Sequence, residues 1–162
     1  EITSIDLLEY ISRQNLPIVL STGMANLREL KETVSFIKDH GCKNFALLKC
    51  TSQYPANPKY SNILTIPNMK KLFGCEIGIS DHTLGIGTSI AAVSHGASII
   101  EKHFTIDKKL PGRDNKFAIL PEQMKFICDF RDKFLKMREF QGLDFQEVEQ
   151  SVFAEARGRW SK

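Results

Sequence analysis

Residues 77–105, IGISDHTLGIGTSIAAVSHGASIIEKHFT, constrain the fold more than any other stretch of the chain. Two short apolar runs each end in a polar cluster with a histidine, Ser80-Asp81-His82 and Glu101-Lys102-His103. Between them lies a small-residue helical pattern from Gly85 to His95. This spacing predicts strand, helix, strand, and strands joined by a helical crossover run parallel. Side chains alternate faces along a strand. Ser80 and His82 therefore share one face, as do Glu101 and His103, while Asp81 and Lys102 point the other way. In adjacent parallel strands both histidines stand at the carboxyl ends, the edge where parallel α/β folds place their ligand and catalytic sites.

The rest of the chain repeats this rhythm. Residues 4–13 have apolar positions at helical spacing, with Ser4 or Thr3 as N-cap. Leu16–Leu20 reads as a strand ending in Ser21-Thr22-Gly23-Met24. Asn26 caps a helix over 27–39 that stops at His40-Gly41. Asn44–Cys50 is a second strand, followed by the polar loop TSQYPANPKYSN. Pro67 belongs in the first turn of a helix ending near Phe73. Glu76–Ser80 and Ser98–His103 are strands, and 107–119 is a long polar loop. Pro121 opens a last helix to about Met137, with Phe126, Phe130 and Phe134 on one stripe. The expected fold class is α/β, one half (the C-terminal half) of a (β/α)8 TIM-type barrel over 1–137. Residues 138–162 read as a tail or linker, with a loose helix over 146–156. Val19, Leu47 and Ile79 are expected to point into the barrel. No Gly-rich phosphate fingerprint follows the first strand, which disfavours a dinucleotide fold.

Composition narrows the functional classes. A net charge of +3 over 162 residues, with basic residues scattered apart from Lys108-Lys109 and Arg157/Arg159, gives no case for nucleic acid. No run of about 18 apolar residues or signal-peptide pattern is present, so the expectation is a cytoplasmic protein away from membranes. Four cysteines without CxxC spacing read as free thiols.

His82 and His103 carry the strongest chemical signal. Two neutral imidazoles from adjacent strands can hold a divalent cation and leave positions for substrate. The competing reading is a hydrogen-bonded polar pair near a barrel rim. Glu101, beside His103, can orient a hydroxyl or move a proton, or can serve in an ion pair. Ser21, Ser52 and Ser80 at strand ends suit phosphate or carboxylate binding. Tyr54 in the second βα loop can stack on a sugar, and Asp114 sits where a substrate clamp would be placed. His40 and His95 precede glycines at helix ends and suit the helix dipole there.

The pieces LSTGM at 20–24, LKCTSQYP at 48–55, IGISDHTLGI at 77–86, AAVSHGASIIEKHFT at 91–105 and DKKLPGRD at 107–114 together resemble the sialic acid synthase family. That family of N-acetylneuraminate synthases includes the related legionaminic and pseudaminic acid synthases. The likeness runs from Glu1 to about Phe134. It implies a (β/α)8 barrel followed by an antifreeze-like domain. It also implies condensation of phosphoenolpyruvate with N-acetylmannosamine or a related amino sugar, with phosphate release, in a homodimer. On this resemblance His82 and His103 bind the metal, usually manganese, with magnesium or cobalt as substitutes. Glu101, Tyr54 and Asp114 contact the sugar, and Ser21, Ser80 and Ser52 lie on the phosphoenolpyruvate side. Glu1 matches an acidic residue ending the fourth barrel strand, so Glu1 and Glu101 are the candidate catalytic carboxylates. Two departures stand out. Ser52 stands where the family often has Asn, and GRDNKF replaces the commoner GPDH, which bears on the sugar accepted.

Two further readings compete with a synthase. A metal-dependent barrel hydrolase would also place histidines at strand ends, but usually with more ligands than this segment supplies. A non-catalytic half-barrel that pairs with a partner is the other.

Overall fold

The computed structural model describes residues 2–159. Four short strands, β1 (Ile18–Ser21), β2 (Phe45–Cys50), β3 (Glu76–Asp81) and β4 (Ile100–Lys102), form one sheet in the order β1-β2-β3-β4. All neighbours are parallel. Helix α1 (Ile5–Ser12) precedes β1, and α2 (Leu27–Asp39), α3 (Thr65–Phe73) and α4 (Gly87–Ser94) cross over between strands. Helix α5 (Pro121–Met137) follows β4 after the long loop. Strands in sequential order, each followed by a helix, make the expected half of a (β/α)8 barrel.

Local chemistry sets the boundaries. Asn26 and Glu29 form a reciprocal capping box on α2. Glu29 N donates to Asn26 Oδ1 at 3.0 Å, and Asn26 N donates to Glu29 Oε2 at 2.8 Å. Pro121 opens α5 at the first turn, where its missing N–H costs nothing. Helix α3 starts at Thr65, two residues before Pro67, which still lies in its first turn. Helix α4 starts at Gly87 rather than Gly85, because Gly85 has φ +70° and belongs to the turn after β3. The loose helix of the tail is a 3₁₀ turn, Glu147–Glu149, followed by α6 (Gln150–Ala156). In α5 the buried residue is Ile127, while Phe126 of the expected phenylalanine stripe stays half exposed.

Register decides which face is which. Leu20 lies opposite Leu47, and Leu47 opposite Ile77, with Ile79 one layer above. These residues form the core with Leu8, Ile37, Ile66, Met69 and Ala92 from the helices. Each fully buried Leu or Ile there contributes about 1.5–3 kcal/mol. Leu47 and Ile79 thus face the helices, contrary to the expectation that they point into the barrel. Both faces of β2 are apolar, so alternation fixes which residues go together but not which set lies inside. Of the three residues expected inside, Val19 does face inward, and it is 54% exposed. The inner row is Val19 and Ser21, then Ala46, Leu48 and Cys50, then Gly78 and Ser80, then Glu101. Gly78 is required there: a Cβ would collide with the Ile99 carbonyl and the Leu48 side chain.

The sheet has two open edges, at β1 and β4, and on its inner face Val19 lies in solvent. Closure is what removes edges in a barrel. Residues 1–162 expressed alone should therefore associate or aggregate at micromolar concentration in sedimentation experiments. A sharp monomer boundary with cooperative thermal unfolding would contradict this.

Candidate active site

The carboxyl ends of β2, β3 and β4 hold the site. Cys50 lies opposite Ser80, and Ser80 opposite Glu101. Ser80 Oγ donates to Glu101 Oε1 at 2.5 Å, a charge-assisted bond at the short end of its class. One layer up, at the exits of β3 and β4, the His82 and His103 rings have centroids 5.3 Å apart. The alternation seen in the sequence thus delivers both imidazoles and the Ser80–Glu101 pair to one face.

Each imidazole is held on its Nδ1 side. His82 Nδ1 lies 3.2 Å from Thr51 O. A carbonyl oxygen only accepts, so Nδ1 carries the proton and Nε2 keeps its lone pair. Burial pushes the His82 imidazole below its ordinary value, against smaller raising effects from the Thr51 bond and the Asp81 and Glu101 charges; the neighbouring His103 lowers it further. His103 Nδ1 stands 3.3 Å from Asp114 Oδ2. Asp114 comes from the 107–119 loop, whose end is zipped back by Ile119 N donating to His103 O at 2.8 Å and Thr105 N donating to Ile119 O at 3.0 Å.

Tyr54 covers the pair. Its ring centroid is 4.3 Å from that of His82 and 5.9 Å from that of His103, and it remains 56% exposed. The loop that carries it is tied down at both ends. Ala56 N donates to His82 O at 2.9 Å. Thr51 Oγ1 donates to Tyr60 O at 2.9 Å, and Lys49 Nζ donates to Thr51 Oγ1 and Tyr60 O. Burial lowers the Lys49 ammonium from its ordinary value.

Tyr54, His82, His103, Asp114, Glu101 and Ser80 are therefore brought together. Ser52 packs under the Ser21-Thr22-Gly23 turn, with Oγ 3.7 Å from Cys50 Sγ. Ser21 stands apart, two strands from β3 and opposite Leu48, one layer below Ser80. No hydrogen bond joins it to Ser80 or Glu101 among the described residues. Glu1, the other candidate catalytic carboxylate, lies outside the described residues. His40 and His95 each turn Nδ1 back to the carbonyl four residues earlier, at 2.8 Å, as helix-end residues. All four cysteines are free.

Sequence reasoning missed three contributors. Phe117 packs its ring on His103 and Tyr54, with centroids at 5.0 and 6.4 Å. It sits fourteen residues beyond His103 in an aperiodic loop, and only the parallel bridge of Phe104 with Ile119 brings it back. Lys49, inside the second strand, ties the Thr51–Tyr60 loop through its ammonium. Asp81 and Lys102 were placed on the face opposite the histidines without being paired. They form an ion pair, Lys102 Nζ to Asp81 Oδ2 at 3.0 Å, with side-chain exposures of 1% and 0%.

The donor set fits part of a divalent-metal site. Two imidazoles of fixed orientation supply nitrogen donors, and Glu101 stands beside them. Among the described residues no group of three or more His, Cys, Asp or Glu side chains forms a metal-holding cluster. Two protein nitrogens leave most coordination positions for water, substrate or other chain. Because burial outweighs the charges around His82, its ring should titrate below 6.5 in a proton NMR titration. A midpoint above that value would contradict the local account.

The NeuB family profile matches residues 1–139. The N,N'-diacetyllegionaminic acid synthase of Campylobacter jejuni is 44% identical over 130 residues, covering 79% of this chain and 39% of that protein. The crystal structure of an N-acetylneuraminic acid synthetase from Leptospira borgpetersenii, in complex with citrate, superposes with a TM-score of 0.83 at 34% identity. It covers 99% of this chain and 56% of that one. A phospho-2-dehydro-3-deoxyheptonate aldolase from Thermotoga maritima shares the fold, with a TM-score of 0.71 at 20% identity, over 84% of this chain and 43% of its own. The chain spans less than two fifths of the length of the curated relatives it matches.

Proposed function

Because this chain belongs to the NeuB family, we propose that it forms the metal- and sugar-binding half of the barrel of a nonulosonic acid synthase. The reaction joins phosphoenolpyruvate to an N-acetylated amino sugar and releases phosphate. The observation that carries this reading is the convergence of His82 and His103 beside the Ser80–Glu101 pair, under Tyr54.

In this reading, C3 of phosphoenolpyruvate forms a bond to the sugar's aldehyde carbon, and the aldehyde oxygen takes a proton. The cationic C2 left behind takes a water oxygen, which loses one proton on bonding; phosphate then leaves with cleavage of the C2–O bond as that oxygen loses its second proton to phosphate and becomes the keto oxygen. His82 and His103 would hold a divalent cation, manganese first, whose chemistry is that of a Lewis acid toward a carbonyl oxygen. The residues of this chain do the positioning. Tyr54 offers a ring face to the sugar. Glu101 accepts from Ser80 through Oε1, and its second oxygen suits a sugar hydroxyl or a proton in transit. Asp114 has one oxygen near His103 and a second for the sugar. Ser21 and Ser80 offer hydroxyls to phosphoenolpyruvate, with Ser52 against the turn that follows Ser21. Charge on the phosphate needs cationic groups from chain outside this half. A cytoplasmic homodimer is the setting this reading carries with it.

One observation favours a particular sugar class. Phe117 adds an apolar wall beside His103 and Tyr54. An apolar wall suits a sugar with a second acetamido methyl, the substitution in the product named for the Campylobacter relative, better than a hydroxyl-rich one. On this reading a diacetamido sugar stands beside N-acetylmannosamine as the substrate to test.

Two experiments test the reading in the full-length protein. His82→Ala or His103→Ala should weaken manganese binding in titration calorimetry by about 10-fold or more and abolish metal-dependent phosphate release. Normal affinity and rate in either variant would sink the assignment, and phosphate release without sugar would point to a hydrolase. Asp114→Ala or Tyr54→Ala should raise KM for the amino sugar and leave KM for phosphoenolpyruvate nearly unchanged. The reverse pattern would refute their sugar role, and a panel of mono- and diacetamido sugars would test the Phe117 wall.

A further inference from the structure

The buried ion pair on the far face of the sheet does more than fill the core. Asp81 and Lys102 lie opposite each other in the β3–β4 register, and each is the residue immediately before a site histidine. Asp81 Oδ1 accepts from Thr83 N at 2.9 Å and Thr83 Oγ1 at 2.8 Å. Asp81 Oδ2 accepts from Ser89 Oγ of α4 at 2.6 Å and from Lys102 Nζ at 3.0 Å. Lys102 Nζ also donates to Thr83 O at 2.7 Å and Asp81 O at 3.4 Å. Those two carbonyls flank His82. One ammonium group, on the residue before His103, therefore grips the backbone on both sides of His82.

We propose that Asp81 and Lys102 are positioning residues that hold His82 and His103 in register, so that both imidazoles meet on the inner face. A buried pair of this kind adds little net stability against a well-packed apolar replacement. What it adds here is direction. With each polar atom matched, the exit of β3 has one conformation relative to β4. Side chains on the opposite face inherit that placement, because neighbouring residues on a strand are rigidly alternate. Asp81 and Lys102 lie on the far face; apart from the Asp81 charge felt by His82, they reach the site through the backbone.

The inference builds on the metal reading above, and the test separates the two. The double variant Asp81→Asn/Lys102→Met removes both charges together, so neither is left buried and alone. In the full-length protein it should keep its circular dichroism spectrum and cooperative melting. Its manganese dissociation constant should rise about 10-fold or more. Without metal, the single Nδ1-protonated His82 signal of the parent in imidazole ¹⁵N spectra should become a broadened or mixed-tautomer signal. Ser12→Ala, which removes a buried hydrogen bond to Leu8 O within α1, should leave both readouts unchanged.

If the parent binds manganese and the double variant matches it in affinity and in the His82 signal, the positioning role is overturned and the metal reading stands. If the parent binds no manganese, the metal reading fails and the His82 signal alone decides: a change supports positioning, and no change overturns it. Should the double variant fail to fold, Ser89→Ala takes its place. That variant removes one donor to Asp81 and should weaken manganese binding about threefold with a detectable shift of the same His82 signal, while parental values in both would overturn the proposal.

Discussion

Between β3 and β4, Ser80 stands opposite Glu101 on one face and Asp81 opposite Lys102 on the other. A slip of one residue would exchange these faces. With β4 slipped against a fixed β3, it would push the Lys102 ammonium towards solvent on the inner side, leave the Asp81 carboxylate buried without it, and drive Glu101 and His103 into the helix layer. Neither arrangement leaves its polar groups satisfied, so the register is fixed by polar chemistry at the strand ends as well as by the apolar core below. Everything chemical in the site stands on this register.

The loops complete what the strands begin. Tyr54 reaches the histidines because Ala56 N is bonded to His82 O and because Lys49 and Thr51 gather the loop's far end at Tyr60. Phe117 and Asp114 reach His103 because the chain after Thr105 returns to pair at Ile119. Strands set the imidazoles, and loops add an aromatic lid and a carboxylate. Rigid strand ends carrying mobile-length loops are how a barrel accommodates different substrates on one scaffold.

Much of this was legible in the sequence. Period two along residues 77–105 grouped Ser80 with His82 and Glu101 with His103, and the caps at Asn26 and Pro121 marked helix starts. Two kinds of information were not there. Strands buried on both faces carry apolar residues on both, so Leu47 and Ile79 gave no sign of which side was the lumen. Partners across a fold are also invisible to local patterns: Asp81 and Lys102 are twenty-one residues apart, and Phe117 lies in a loop without period. Short polar motifs supplied the chemistry, and only the assembled sheet showed which of them meet. Ser21, which the motifs put with the phosphoenolpyruvate contacts, stands two strands away from the centre of the site.

The central claim is that register and tautomer together aim two imidazole Nε2 atoms at one point on the inner face. Crystals of the full-length protein soaked in manganese, with diffraction recorded at the manganese absorption edge, test it most directly. The account predicts one anomalous peak within bonding distance of Nε2 of both His82 and His103, on the side facing Glu101. A peak bound to only one of them, or bound through Nδ1, or centred elsewhere in the barrel, would contradict it.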